Sequence, residues 1–351
     1  MTPRQDMLIP SGTAGAVQPR TSLVVAGQSA NSAASRCRFA DYRERKAANT
    51  IRRQDDNLSL FADFLAAVPV PGAPTGLALA CDPLAWRGVT WRLVAAFVRW
   101  LLGRGYAIGT VNLALSTVRT YAGLAASASA LDPGELVLLR TVRGYNRTEG
   151  KRIDDGRALT RAGAKKSEPV SLTPRQAAAL KRQPDTAQGR RDALLLCLLL
   201  DHGLRVGELA RLTVADFDLA AGELRFYRPK VDKTQTQKLT GDTFAALRAW
   251  LDAGDAPAAG PILRASRKGG ALTSAGMSER AITARVRELG AAVGLAGLSA
   301  DDLRQYWATR AARSGTSLDR LQDLGGWASP AMPMRYVGAA KIAKERVRPD
   351  S

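Results

Sequence analysis

Near its carboxyl end the chain reads Leu324-Gly-Gly-Trp-Ala-Ser-Pro-Ala-Met-Pro-Met-Arg-Tyr336. A tyrosine set close behind a Gly-Gly-Trp turn and an arginine, in a strongly basic chain, could attack a phosphodiester, because the resulting phosphotyrosine conserves the energy of the broken bond. Such a phenol needs help. With an ordinary pKa of about 10 it is protonated at neutral pH, and a phosphoryl transition state spreads negative charge that fixed cations must meet. The cations are upstream. Arg205 stands in Asp201-His-Gly-Leu-Arg-Val-Gly-Glu-Leu-Ala-Arg-Leu212, with Glu208 three residues on, a spacing that lets the carboxylate orient the guanidinium. Arg304 ends Ala300-Asp-Asp-Leu-Arg, and Lys230, Lys233 and Lys238 fall between the two arginines. Taken singly, these residues read as a surface ion pair, a core tryptophan and a half-buried structural tyrosine, so only their conjunction carries chemistry. His202, the one histidine of the chain, reads as a capping or packing residue.

The elements that hold these groups are expected to be mostly helices. Thr173 followed by Pro174 opens a second domain as a cap and first helical residue. Helical spacing is expected over 190–201 and 206–211, then strands over 223–227 and 237–239 joined by a lysine-bearing turn, then helices over 243–251, 278–293, 300–314 and 317–324. The amino-terminal part reads as helical throughout, with an amphipathic helix over 42–68 stopped by three prolines, another over 91–102, and a third over 111–124 capped by Thr110. Asn112, Ser116 and Arg119 lie on the polar side of that third helix. With Thr110 and Lys230 they are candidate DNA contacts, against the plainer reading of a solvated face. The fold class is therefore mainly α with a small β-sheet. The expected divisions are a flexible arm over 1–35, a helical domain over 36–142, a basic linker over 143–168, a second domain over 169–336 and a basic tail over 337–351. A basic linker suits a chain that embraces a duplex, since each phosphate contact adds affinity through counterion release.

Composition narrows the partner. The chain has 351 residues, 46% of them hydrophobic, and a formal net charge of +19, which points to a polyanion and first to nucleic acid. Cys37, Cys81 and Cys197 are odd in number and widely spaced, so neither a zinc site nor a disulfide framework is expected. The longest apolar run, 193–200, is far short of a membrane span and reads as a core helix. No signal-like segment opens the chain, so a reducing, cytoplasmic setting is expected, close to the nucleoid.

Gly-Leu-Arg-x-Gly-Glu-Leu, a hairpin Lys-Thr, Asp-Leu-Arg, Leu-Gly-Gly-Trp and a tyrosine nine residues after that tryptophan together resemble the tyrosine recombinase, or phage integrase, family. The resemblance runs from about residue 38 to the end. It implies a helical core-binding domain followed by an α+β catalytic domain. It makes Tyr336 the nucleophile of a 3′-phosphotyrosyl link, and it makes Arg205 and Arg304 the holders of the scissile phosphate. Lys233, with Lys230 as the alternative, becomes the acid for the leaving 5′-oxygen, while Glu208 supports Arg205 and Trp327 donates to the phosphate. It implies no metal or nucleotide cofactor, a double-stranded DNA partner, a homo-tetramer on two sites, and room for accessory DNA-bending proteins. A GC-rich bacterial or mobile-element source fits the composition.

One position departs from the pattern. Where the family usually has histidine, three residues before its second arginine, this chain has Asp301. That carboxylate either serves as the base for the phenol or points away from the phosphate. Two other readings stay open at this point: a type IB topoisomerase-like strand transferase, and a DNA-binding member of the family with weakened catalysis.

Overall fold

Most helices of this chain begin at a residue whose side-chain oxygen can accept a backbone N–H, and the polar punctuation of the sequence thereby fixes where each begins. Thr75, Thr90, Asp132, Asn146, Thr173, Thr186, Thr240, Ser278 and Ser317 all act in this way. The computed structural model describes residues 37–68, 72–158 and 169–344. The expected arm over 1–35, the end of the expected linker and the last residues of the tail lie outside them. The chain divides into two units, Met1–Lys165 and Lys166–Ser351.

In the first unit the described residues are helical: α1 over 37–44, α2 (Ala48–Ala67), α3 (Gly76–Cys81), α4 (Trp91–Gly103), α5 (Ile108–Ser127), α6 (Pro133–Thr141) and α7 (Arg147–Asp155). Their apolar faces bury Leu58, Phe61, Trp86, Phe97, Leu101, Val118 and Tyr121 in one core. The Phe61 and Phe97 rings meet edge to face at 5.0 Å, a geometry that adds about 1 kcal/mol to their burial. The single helix expected over 42–68 is two, broken before Ala48, so that Arg43 can turn back onto Asp55 at 2.5 Å. Thr110 does not cap its helix, which starts a turn earlier after Ala107.

Two of the residues proposed for DNA contact have local duties. The Asn112 amide clasps the backbone of Tyr145, donating to its carbonyl at 2.7 Å and accepting its N–H at 2.8 Å. Arg119 donates to the carbonyl of Arg140. Ser116 is exposed, and Thr110 lies half-buried in the first turn of its helix. The basic stretch read as a linker is helical over α7, with an Asn146/Glu149 capping box. Gly150 lets that helix approach closely, since a Cβ there would stand 3.1 Å from Ile108 Cγ2. Arg157 fastens its far end to the carbonyls of Leu102 and Tyr106.

The second unit is built around α9 (Ala187–His202), whose residues from Leu194 to His202 are all buried. A helix apolar on every side must be packed on every side. It is surrounded by α8 (Pro174–Lys181), α11 (Gly241–Asp252) and α13 (Ala300–Arg313), with Leu224, Phe226, Leu247, Trp250, Ile262 and Leu303 completing the core. A three-stranded antiparallel sheet, β1 (Phe217–Asp218), β2 (Glu223–Arg228) and β3 (Lys233–Lys238), lies in strand order 1-2-3 and pairs Arg228 with Lys233 across the turn. A second hairpin, β4 (Arg264–Ser266) with β5 (Leu272–Gly276), was not anticipated from its short, weakly alternating strands. Then come α12 (Glu279–Ala292), α14 (Leu318–Gly325) and α15 (Ala331–Lys344), the last carrying Tyr336 and extending into the stretch expected as a tail. Among the described residues no helix is long and apolar enough to cross a membrane.

Candidate active site

Gly203 ends α9 in the left-handed conformation, with φ at 60°, and turns the chain so that Arg205 opens the short helix α10 (Val206–Leu209). A side chain at Gly203 has no place, since its Cβ would stand 2.3 Å from the Trp307 ring. Glu208 lies one turn into α10 and is buried. It accepts the backbone N–H of Arg205 on Oε2 and the Arg205 guanidinium on Oε1, each at 2.8 Å. One carboxylate therefore fixes both the start of the helix and the direction of the arginine.

The second arginine arrives from α13. Asp302 caps that helix by accepting the N–H of Ser299 at 2.8 Å, and it also takes the N–H of Val170 at 3.0 Å. Arg304, two residues on, is only 6% exposed. Its guanidinium donates to the carbonyls of Gly203 and Gly325 and lies 4.7 Å from the centre of the Trp327 ring. Burial, reinforced by the charges of Arg205 and Arg228, lowers its pKa to about 9.

These arginines converge on the carboxyl end of α14. Arg228 donates to the carbonyl of Leu324 at 2.7 Å, Arg304 to that of Gly325, and Arg205 to that of Gly326 at 2.7 Å. Gly326, with φ at 57°, reverses the chain there. A helix carboxyl terminus presents unpaired carbonyls and the negative end of the dipole, so it gathers cations. The sequence reading passed over Arg228. Its signal was the alternation in Glu223-Leu-Arg-Phe-Tyr-Arg228, which puts Arg228 on the inward face with Leu224 and Phe226.

Trp327 follows the turn, and its ring sits between those of Trp307, 6.2 Å away, and Tyr336, 5.5 Å away. Tyr336 is half-buried on α15. Burial pushes its phenol above the ordinary pKa and the charge of Asp301 adds to this, while Arg304 and Arg335 oppose both. Asp301 itself is exposed in the first turn of α13. Lys233 sits at the mouth of the site, ion-paired with the Asp323 carboxylate on α14. It lines a groove of about 330 Å³ with Arg228, Asp323, Gly326 and Trp327. Lys230, by contrast, is at the exposed tip of the hairpin.

Of the residues singled out for chemistry, Arg205, Glu208, Arg304, Trp327 and Tyr336 thus meet at one place. Lys233 borders it, and Asp301 is near enough for its charge to reach the phenol. His202 is buried behind them, bonded to Gln237 at 3.0 Å and Thr243 at 3.1 Å, and burial lowers its pKa. Among the described residues, no three His, Cys, Asp or Glu side chains gather as metal ligands would.

Residues 171–342, which contain this entire constellation, match the family model described as phage integrase family. The chain belongs to the phage integrase, or tyrosine recombinase, family. A tyrosine recombinase XerC from Pelobacter propionicus is 32% identical over 171 residues, which are 48% of this chain and 55% of that relative. One from Roseiflexus sp. strain RS-1 is 26% identical over 303 residues, covering 83% of each chain. The Tn1549 transposon integrase, solved in complex with transposon right end DNA, superposes with a TM-score of 0.58 at 13% identity, over 88% of this chain and 98% of that one. XerH bound to palindromic difH substrate gives 0.56 at 17% identity, over 83% and 95%. At such identities the two structures speak for the fold.

Proposed function

We propose that this tyrosine recombinase cleaves and rejoins double-stranded DNA at a specific site through a 3′-phosphotyrosyl intermediate on Tyr336. The observation that carries the reading is the meeting of Arg205 and Arg304 beside Trp327 and Tyr336, although the two arginines are separated by most of the second unit. The phenol oxygen attacks phosphorus, and the bond from phosphorus to the 5′-oxygen breaks. Asp301 accepts the phenol proton, and Lys233 supplies the proton that leaves on the 5′-hydroxyl. Arg205 and Arg304 neutralise the non-bridging oxygens, and the Trp327 indole N–H donates to the same group. A 5′-hydroxyl from a partner strand then reverses the step. The bond energy passes through the enzyme, so exchange requires no external energy source.

Two duplexes must exchange strands, which calls for a tetramer on two DNA sites. The first unit is the core-binding domain in this reading. Its helices and the basic charge of the chain supply sequence-independent affinity for the backbone. The deciding experiment incubates the chain with a duplex selected by binding from a random-sequence pool. An SDS-resistant protein–DNA adduct that disappears in Tyr336→Phe is expected. Binding without an adduct would leave a DNA-binding protein of the family, and relaxation of supercoils without strand exchange would indicate a topoisomerase.

A further inference from the structure

The Arg228 side chain hydrogen-bonds three residues, against two each for Arg205 and Arg304. It exposes none of its surface, and each of its three nitrogens is engaged. Nε donates to Gln235 Oε1 at 2.5 Å, Nη1 to Glu208 Oε2 at 2.7 Å and Nη2 to the Leu324 carbonyl at 2.7 Å. The strand opposite adds to the same grip. Gln235 donates to the carbonyl of Asp323 at 3.1 Å and Gln237 to that of Leu324 at 3.4 Å, with His202 behind Gln237. Gly326 marks how closely the parts fit: a Cβ there would stand 2.5 Å from Arg228 Cδ.

With each nitrogen bonded within the protein, this guanidinium is committed to the frame around it, and it touches both supports of the site. Through Glu208 it fixes the partner that aims Arg205. Through Leu324 it fixes the carbonyl end of α14, to which Arg304 and Arg205 are bonded and from which Trp327 projects. Only a planar fork can hold these three acceptors at once; a lysine ammonium is a point charge on a flexible stem.

We propose that Arg228 is the positioning residue of this active site, tying the β2–β3 hairpin, Glu208 and the end of α14 into one frame that aims Arg205, Arg304 and Trp327 at the scissile phosphate. The inference rests on the phosphotyrosyl reading of the site. A purely structural Arg228 predicts something different: lower stability, with bound DNA cleaved at the normal rate.

The test uses the full chain and a nicked suicide duplex of the selected sequence, with affinity measured apart from single-turnover adduct formation. Wild type must first form the Tyr336-dependent adduct. Its failure to do so would overturn the phosphotyrosyl reading and this proposal with it. Given that adduct, Arg228→Lys should melt cooperatively and bind DNA within about threefold of wild type. It should cleave bound DNA about a hundredfold more slowly, the scale expected when reacting groups shift by about 1 Å. Gln235→Met removes one contact of Arg228 and one of α14 without touching Arg205, and should slow cleavage of bound DNA in the same direction but less. A folded Arg228→Lys protein with wild-type cleavage, or one whose whole loss is in affinity, overturns the proposal while leaving the phosphotyrosyl reading standing. If Arg228→Lys does not fold, Gln235→Met decides, and an unchanged cleavage rate there overturns it equally.

Discussion

The Arg304 guanidinium lies over the indole of Trp327 with its carbon 4.7 Å from the ring centre, and the Tyr336 ring lies 5.5 Å from the same indole. One aromatic ring thus joins the cation proposed to receive the phosphate to the phenol proposed to attack it. A cation over an aromatic face contributes about 0.5 to 2 kcal/mol, more as water is excluded. Trp327→Phe keeps a ring and loses the N–H donor, whereas Trp327→Ala loses both. Single-turnover cleavage should fall about tenfold in the first, as one lost hydrogen bond to a charged group implies, and further in the second. Equal rates for Trp327→Phe and wild type would mean that the indole N–H does not meet the transition state.

Arg304 also sets a pH limit. Its pKa is lowered to about 9, so below that pH the folded protein holds a cation in a place that burial and two neighbouring guanidiniums disfavour. The unfolded chain, with the ordinary higher value, binds more protons between about 9 and that value. In this window the contribution of Arg304 to stability therefore rises with pH. DNA works in the opposite direction, because a bound phosphate favours the charged form. Affinity for the selected duplex, followed by fluorescence anisotropy, should fall as pH rises through about 9, and Arg304→Gln should flatten that fall while weakening binding throughout. A wild-type curve parallel to that of Arg304→Gln would remove Arg304 from the phosphate.

The departure at Asp301 has a direct test. The carboxylate is exposed, and its charge helps to raise the pKa of Tyr336, which disfavours the phenolate unless the same carboxylate takes the proton. A general base at this position contributes on the order of a hundredfold or more. Asp301→Asn should therefore slow single-turnover cleavage by about that factor, and Asp301→His, which offers another base, should recover part of it. Unchanged rates in both variants would show that the position has no part in the chemistry.

The residues that meet at the site were legible in the sequence because each stands in a short local pattern. The Gly-Leu-Arg turn, the caps and the Gly-Gly-Trp reversal are set by backbone conformation and hydrogen bonds within a few residues. Arg228 was not legible in that way. Its partners, Glu208 and Leu324, lie 20 and 96 residues away, and only the fold brings them together. Asn112 has a partner that the sequence did not suggest. Its place on a polar helix face suggested DNA, while its actual partner is the backbone of Tyr145, 33 residues on, in a stretch that composition had marked as a tether. Composition reports which segments are charged. It does not report that Asn146 and Glu149 cap a helix firmly enough, beside Gly150, to draw such a segment onto a core.

Gly203 joins stability to function in one backbone position. Its φ of 60° disfavours any other residue, a Cβ would press into Trp307 at 2.3 Å, and its carbonyl accepts from Arg304. Gly203→Ala should cost more than the roughly 1 kcal/mol of a left-handed residue alone, because the clash is with a packed ring. The melting temperature and the cleavage rate of bound DNA should fall together. A variant of normal stability would mean that Trp307 can move aside.

Lys233 and Asp323 form the exposed ion pair at the mouth of the site, with both side chains more than half exposed. Pairs of this kind are weak, so a DNA phosphate can draw the ammonium away from its partner without loss of fold. Asp323→Asn should accordingly leave the melting temperature nearly unchanged and strengthen DNA binding at low salt, where surface charge is least screened. Lys233→Ala should stop cleavage of an ordinary nicked duplex. The same variant should regain most of its rate on a duplex whose leaving 5′-oxygen is replaced by sulfur, because a thiolate departs without being protonated. Lys230→Ala, at the hairpin tip, should cleave both duplexes at close to the wild-type rate. If Lys230→Ala is the variant that sulfur rescues, the acid of this enzyme is Lys230, and the hairpin must bend inward on DNA to deliver it.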